Sequence, residues 1–213
     1  MTVRSTGYRD AIGQRDTRIV HPLTPVVLAS PRVRLSPLAH THRPALLTLA
    51  ADEDVRTHLP RPLPRTTEGM TAFIEDALTA VGQGIRLPFV IEVEDAVIGT
   101  TSYWYPDYSS AQLEIGSTYL QRAWWGTGVN SEAKRLLLHH AFARLACERV
   151  ILRTDVLNRR SQRAIEKLGA ARDRIVECDL QRADGSWRDS VYYTITRSTW
   201  LDTQNEDHDL RLE

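Results

Sequence analysis

The sequence predicts an α+β fold, a single mixed sheet with helices on its faces, and three observations carry that reading. Short apolar–polar alternations such as RVRLSPL (32–38) read as half-buried strands. Two-residue turn signals, Glu94-Asp95 and Asp184-Gly185, each separate a pair of strand-like runs and mark hairpins. Stretches with helical spacing interrupt these strands, giving the order β, α, α, β, β, β, α, β, α, β, β.

The elements follow in chain order. THRPALLTLAAD (41–52) and TTEGMTAFIEDALTAV (66–81) have helical periodicity, with Thr66 or Thr67 available as N-cap. Between them VRTHLPRPLPR (55–65) is a proline-rich loop. RLPFVIEVE and AVIGTTSYWY form the first hairpin, and SAQLEIGSTYL (110–120) is a strand with an interior glycine, Gly116. A helix runs from about Gly128 to Ala146, with Ala133, Leu136, Leu137, Ala141, Phe142 and Leu145 on one face. RVILRTDV (149–156) has the β-branched run of a buried strand. NRRSQRAIEKLGA (158–170) is a short helix begun by Asn158 and stopped by Gly169. RDRIVECDLQR and WRDSVYYTITR form the second hairpin.

At 213 residues the chain reads as one domain, residues 31–200, between two appendages. Residues 1–30 are polar and Arg-rich and read as an N-terminal extension; residues 201–213 read as an acidic tail without periodicity. The 27 basic and 27 acidic residues cancel, so no global field recruits nucleic acid or anionic lipid. Nearly all the basic side chains are arginine, the only lysines being Lys134 and Lys167. Cys147 and Cys178 lack metal-ligand spacing and sit in apolar-patterned segments, which predicts buried free thiols and a cytoplasmic protein. No apolar run approaches the ~20 residues that span a bilayer, and the N-terminus lacks the apolar core of a secretion signal. The histidines show no ligand pattern, so no metal is expected; His58 alone, in the proline-rich loop, is placed to line an acceptor site.

The stretch YLQRAWWGTGVNSEAKRLLL (119–138) sets two tryptophans before a Gly-Thr-Gly turn and a helix after it. Glycines that expose backbone N–H groups ahead of a helix N-terminus make an anion site. Val129-Asn130 stands where a nucleoside-triphosphate loop needs Lys-Ser/Thr, and Ser131 stands where a dinucleotide loop needs its third glycine. A turn that merely caps a core helix is the plain alternative.

From LEIGSTYL through AWWGTGVNSEAK to TDVLNRRSQRAIEKLGA, the sequence resembles the GNAT N-acetyltransferase superfamily, and within it the RimJ/RimL-like branch of ribosomal-protein N-terminal acetyltransferases. The resemblance covers about residues 32–197. It rests on W-W-G-x-G-x-N-x-E-A in 124–133 and on Asn158, Ser161 and Gly169. It implies an acyl-CoA N-acyltransferase fold: a mostly antiparallel central sheet splayed between two strands, with helices on both faces. It implies acetyl-CoA as co-substrate, a primary amine as acceptor, and a homodimer.

On the resemblance, the pantetheine arm pairs with the strand 113–120, which Gly116 helps to splay. The diphosphate faces the N–H groups of Trp125, Gly126, Thr127, Gly128 and Val129, with Asn130 adjoining. The family opens this loop with Gln or Arg where this chain has Ala123; Arg122 is its nearest substitute. Trp124 and Trp125 either brace the loop or line the acceptor cleft. Asn158 hydrogen-bonds pantetheine, caps its helix, or does both. The family's tyrosine acid falls on Ile165, which cannot donate a proton, so Ser161 becomes the candidate general acid, with local backbone satisfaction as its alternative.

Glu114 is the candidate general base, acting through water, against a reading as a solvated or arginine-paired strand residue; Glu92 and Glu132 are weaker candidates. The oxyanion donor is expected to be a backbone N–H near Tyr119 or Leu120. Neither cysteine is placed for an acetyl-enzyme, so direct attack in a ternary complex is expected. Acceptor choice falls to the loops 52–66, 105–111 and 182–188. A protein or peptide α-amine, a small amine such as a polyamine, amino acid or antibiotic, and a non-catalytic coenzyme A-binding domain all remain open at this level.

Overall fold

The structure is a computed structural model that describes residues 22–53, 59, 61–182 and 184–209. Its elements are β1 (Leu28–Ala29), β2 (Arg34–Pro37), α1 (Arg43–Ala50), α2 (Thr67–Gly82), β3 (Arg86–Val93), β4 (Ala96–Asp107) and β5 (Gln112–Leu120), followed by α3 (Val129–Ala143), β6 (Arg149–Asp155), α4 (Arg159–Glu166), β7 (Ala171–Gln181), β8 (Trp187–Thr196) and α5 (Arg197–Asp209). The strands form one sheet in the order β1-β2-β3-β4-β5-β6-β8-β7. Every pairing is antiparallel except β5 with β6.

Local chemistry sets the boundaries as the sequence indicates. The Thr66 hydroxyl accepts the Gly69 N–H at 3.1 Å and caps α2. Glu94 and Asp95 both take left-handed φ, 51° and 63°, as a two-residue turn with the twist of a hairpin requires. The helices cover both faces. On one face α3 and α4 bury Ala133, Leu137, Ala141 and Ile165 against Leu113, Ile115, Val150 and Leu152. On the other, α1 and α2 bury Leu46, Leu49, Met70 and Ile74 against Val90 and Tyr119.

The sheet splits at its centre. Gln112–Ile115 pair with Arg149–Leu152, and no further. Beyond that point β5 follows β4 to Leu120, while β6 follows β8 to Asp155. Where the two strands part, β5 bulges: Ser102 opposes Gly116 and Thr100 opposes Tyr119, so Ser117 and Thr118 together face Thr101. The residue that takes the left-handed turn is Ser117, at φ 47°, not the neighbouring Gly116. Gly99 is needed across from the bulge, because a Cβ there would lie 2.3 Å from the Tyr119 carbonyl oxygen.

Three readings of the sequence change. Residues 1–21 lie outside the described residues, but 22–30, placed with the extension, join the fold: Leu23 is buried and Leu28 pairs with Leu35. The segment read as an acidic tail belongs to α5 as far as Asp209, and residues 210–213 lie outside the described residues. Just before that segment, the ring of Trp200, on the same helix, packs 6.2 Å from that of Phe142. Cys147 is buried, but Cys178 is exposed. It sits at φ 49° in an irregularity of β7, the outermost strand, whose residues face solvent despite their apolar pattern.

Candidate active site

The split between β5 and β6 opens a cleft of about 790 Å³. Its walls come from β5, β6, the loop before α3, and α4. Gly126 and Gly128 turn that loop with φ of 76° and 90°, values open to glycine at little cost. Gly128 is the N-cap of α3 and offers no side chain to cap it. The first intrahelical bond runs from Glu132 N–H to the Gly128 carbonyl. The N–H groups of residues 126–131 therefore have no acceptor among the described residues. Six backbone donors at the positive end of a helix dipole form a site for an anion with several oxygens.

The loop is fastened from outside by Ser30 and Arg32, a contact the sequence does not signal. Arg32 Nη1 donates to the Thr127 carbonyl at 3.0 Å, and the Ser30 hydroxyl donates to Glu132 Oε1. Glu132 is thereby engaged on the outer side, and Glu92 accepts the Ser36 hydroxyl at 2.6 Å; neither lines the cleft. Trp124 and Trp125 both line the cleft and pack on the core. Trp125 Nε1–H donates to the Leu120 carbonyl at 2.8 Å, and the Arg160 guanidinium lies 3.2 Å from the Trp125 ring centroid.

Among the other expected site residues, Tyr119, Leu120, Trp125, Gly126, Gly128, Asn130, Asn158 and Ser161 line the cleft. Arg122, Thr127 and Val129 do not: Arg122 is exposed, the Thr127 hydroxyl donates to the Trp124 carbonyl at 2.9 Å, and Val129 is buried. The last two can offer the cleft only their backbone. The Tyr119 phenol donates to the Arg61 carbonyl at 2.9 Å, away from β6. Asn158 Oδ1 accepts the Ser161 N–H at 3.0 Å and so caps α4, and Asn158 lines the cleft. Ile165 also lines the cleft. Asn130 Oδ1 is buried without a hydrogen-bond donor.

Glu114 stands on the opposite face of the sheet from α3, since Leu113 and Ile115 on either side of it belong to the α3 core. Its Oε1 accepts Arg153 Nε–H at 3.0 Å. Arg153 is shared with Asp179 at 3.2 Å and with the Tyr192 hydroxyl at 3.1 Å. Burial pushes the Glu114 carboxyl up from its ordinary range, while the Arg153 charge opposes the shift. The Arg153 guanidinium is raised despite the cost of its burial, through Glu114, Tyr192 and Asp179. The geometry is that of an ion pair between Glu114 and Arg153.

One residue of the cleft escaped the sequence reading. Lys134 is buried at 6% exposure, and Nζ donates to Thr101 Oγ1 at 2.8 Å and to Thr118 Oγ1 at 2.5 Å. Its signal was compositional: an isolated lysine in a chain that otherwise uses arginine. Cys147, pushed up to about 12 by burial, and Cys178 both stand outside the cleft. Among the described residues no group of three His, Cys, Asp or Glu could hold a metal ion, and His58 lies outside the described residues.

Residues 32–171 match the family described as the acetyltransferase (GNAT) domain. The chain belongs to the GNAT acetyltransferases. This GNAT chain is 37% identical to a crystal structure from T. thermophilus assigned as an acetyltransferase, with a TM-score of 0.78 over 90% of this chain and 99% of that one. Mycobacterium smegmatis RimJ, solved with a coenzyme A disulfide, shares 19% identity and a TM-score of 0.76 over 86% and 97% of the two chains. An acetyltransferase from Salmonella typhimurium that modifies the N-terminal serine of ribosomal protein L7/L12 shares 17% identity and a TM-score of 0.72 over 80% and 99%. The last two establish likeness of fold. As a GNAT enzyme the chain is an acetyl-CoA-dependent acetyltransferase. No helix among the described residues is long and apolar enough to cross a membrane.

Proposed function

We propose that this enzyme acetylates the N-terminal α-amine of a protein or peptide, by direct attack of the amine on acetyl-CoA bound in the cleft. The observation that carries this reading is Glu114, a half-buried carboxylate on the face of the sheet opposite the uncapped helix, beside the split between β5 and β6. A donor entering over α3 and an acceptor entering over Glu114 would meet at that split. The diphosphate would take the N–H groups of 126–131, and Asn158 and Ser161 would face the arm that follows β5.

The chemistry suits an α-amine. With a pKa near 8, against about 10.4 for a lysine side chain, such an amine surrenders its proton readily at neutral pH. Glu114, raised by burial, accepts that proton through water. Attack forms the C–N bond, and a backbone N–H of β5 next to the bulge receives the oxyanion. The likeness to RimJ and to the L7/L12-modifying enzyme supports a protein acceptor.

The test is a thiol-release assay across a panel of peptides with free N-termini, the same peptides blocked, polyamines and amino acids. Free peptides are expected to turn over and blocked ones to fail. Glu114→Gln is expected to lower kcat about 100-fold and to abolish the decline in rate on the acid side. Small amines outpacing every peptide would contradict the acceptor assignment; full activity of Glu114→Gln would contradict the base.

A further inference from the structure

Lys134 is an ammonium group in a place that costs several kcal/mol to keep charged. Among the described residues it has no acidic partner, only two hydroxyls. Those hydroxyls, Thr101 and Thr118, lie 3.1 Å apart across the bulge. Lys134 and Thr118 line the cleft; Thr101 is fully buried and does not.

Counting protons gives the trio a direction. An ammonium donates only, and each hydroxyl owns one proton. Thr101 Oγ1 has two neighbours, the ammonium and Thr118 Oγ1, so its proton goes to Thr118. Thr118 Oγ1 then accepts from both Lys134 and Thr101, and its own proton has no acceptor among the described residues. That proton is directed into the cleft. Thr118 lies in the bulge of β5, three residues beyond Ile115 where the pairing with β6 ends, on the open edge between that parting and the loop before α3.

We propose that the Thr118 hydroxyl protonates the sulfur of the departing coenzyme A and that Lys134 resupplies the proton. When the tetrahedral adduct collapses, the C–S bond breaks and its electron pair goes to sulfur. The Thr118 proton moves to that sulfur, and the Thr118 oxygen takes a proton from Lys134, leaving a neutral amine. The proton shed by the attacking amine leaves through the base on the other face, and Lys134 is recharged from solvent after product release. This supplies what Ile165 cannot. Ser161 also lines the cleft, but among the described residues its hydroxyl shows no hydrogen bond to a charged group.

Burial alone lowers Lys134, to about 7, close to the pH at which such an acid both holds and yields its proton. Charged groups lining the same cleft are Arg160, Arg163 and Lys167 of α4 and its end and Arg61 of the proline-rich loop, with Glu114 and Arg153 on the opposite face. Arg188 of β8 also lines it. On its own helix, Glu132 is held by Ser30.

The inference rests on the placing of the acyl donor proposed above and holds for whichever amine is accepted. It is tested by steady-state kinetics on the full chain, with any acceptor that turns over, alongside coenzyme A calorimetry and circular dichroism for each variant. Thr118→Val is expected to lower kcat about 100-fold with the KM for acetyl-CoA and coenzyme A affinity within about threefold, and Thr118→Ser to recover most of the loss. Lys134→Met is expected to match Thr118→Val and to lose the fall in kcat on the alkaline side that the native enzyme shows as Lys134 deprotonates. Ser161→Ala is expected to act on the KM for acetyl-CoA. The proposal is overturned if Thr118→Val stays within threefold of native kcat, if Thr118→Ser is as damaged as Thr118→Val, if the alkaline limb survives in Lys134→Met, or if Ser161→Ala carries the kcat loss instead.

Discussion

A single buried amine sets the relation between stability and activity in this molecule. Lys134 ionises at about 7 in the folded chain against an ordinary 10.5. Between those values the unfolded chain binds the extra proton, so folding stability rises with pH through that window. Lys134→Met removes both the penalty and its pH dependence. Thr101 and Thr118 still bond one another after the change. We therefore expect thermal unfolding to show the variant more stable than the native protein at pH 6, on the order of 3 kcal/mol, with the difference vanishing by pH 10. A variant less stable at pH 6 would mean that Lys134 is structural. Residues of this kind were hardest to read from sequence. Lys134 follows the core position Ala133, and its charge hides the fact that it is core as well. Glu114 was legible as a candidate, but its engagement with Arg153 required the register of two strands 39 residues apart.

At the scale of elements, the loop and the helix it opens were legible, because Gly-Thr-Gly before an apolar-periodic run admits few structures. The structure adds that the two glycines, not the threonine, carry the left-handed turns. Gly128→Ala is a sharp probe, since the site is sterically open, with nothing nearer than Arg32 Nη1 at 3.9 Å, and only φ resists the new Cβ. It should cost about 1–2 kcal/mol of stability and weaken coenzyme A binding about tenfold in calorimetry, by tilting the N–H groups of 126–131. Unchanged affinity would show that these groups do not hold the ligand. The bulge of β5 was read one position early, at Gly116. Glycine was the visible cue, but the strain fell on Ser117, whose hydroxyl accepts the Trp104 Nε1–H at 3.1 Å. β1, two residues long, and α5, polar along its length, carried no periodic signal strong enough to register.

For the whole molecule, the sheet does the placing. One parallel pair inside an otherwise antiparallel sheet parts after Ile115, and that parting puts the uncapped end of α3 on one face and Glu114 on the other. Strand order followed from the sequence only through the family likeness. The hairpins are local, but the β5–β6 pairing and the placing of β8 between β6 and β7 depend on contacts far apart in the chain. The N-terminal segment shows the same limit: Ser30, read as extension, and Arg32, read as the start of a strand, gain a role only when the fold brings them onto Glu132 and Thr127. The central claim is that bare backbone amides around Gly126 and Gly128 hold the diphosphate of coenzyme A. The deciding measurement is isothermal titration of the native chain with coenzyme A and with pantetheine. Saturable binding of coenzyme A is expected, with at least tenfold weaker affinity for pantetheine, which lacks the diphosphate and the nucleotide it carries; equal affinity for the two, or no heat with either, would show that these amides do not hold the diphosphate.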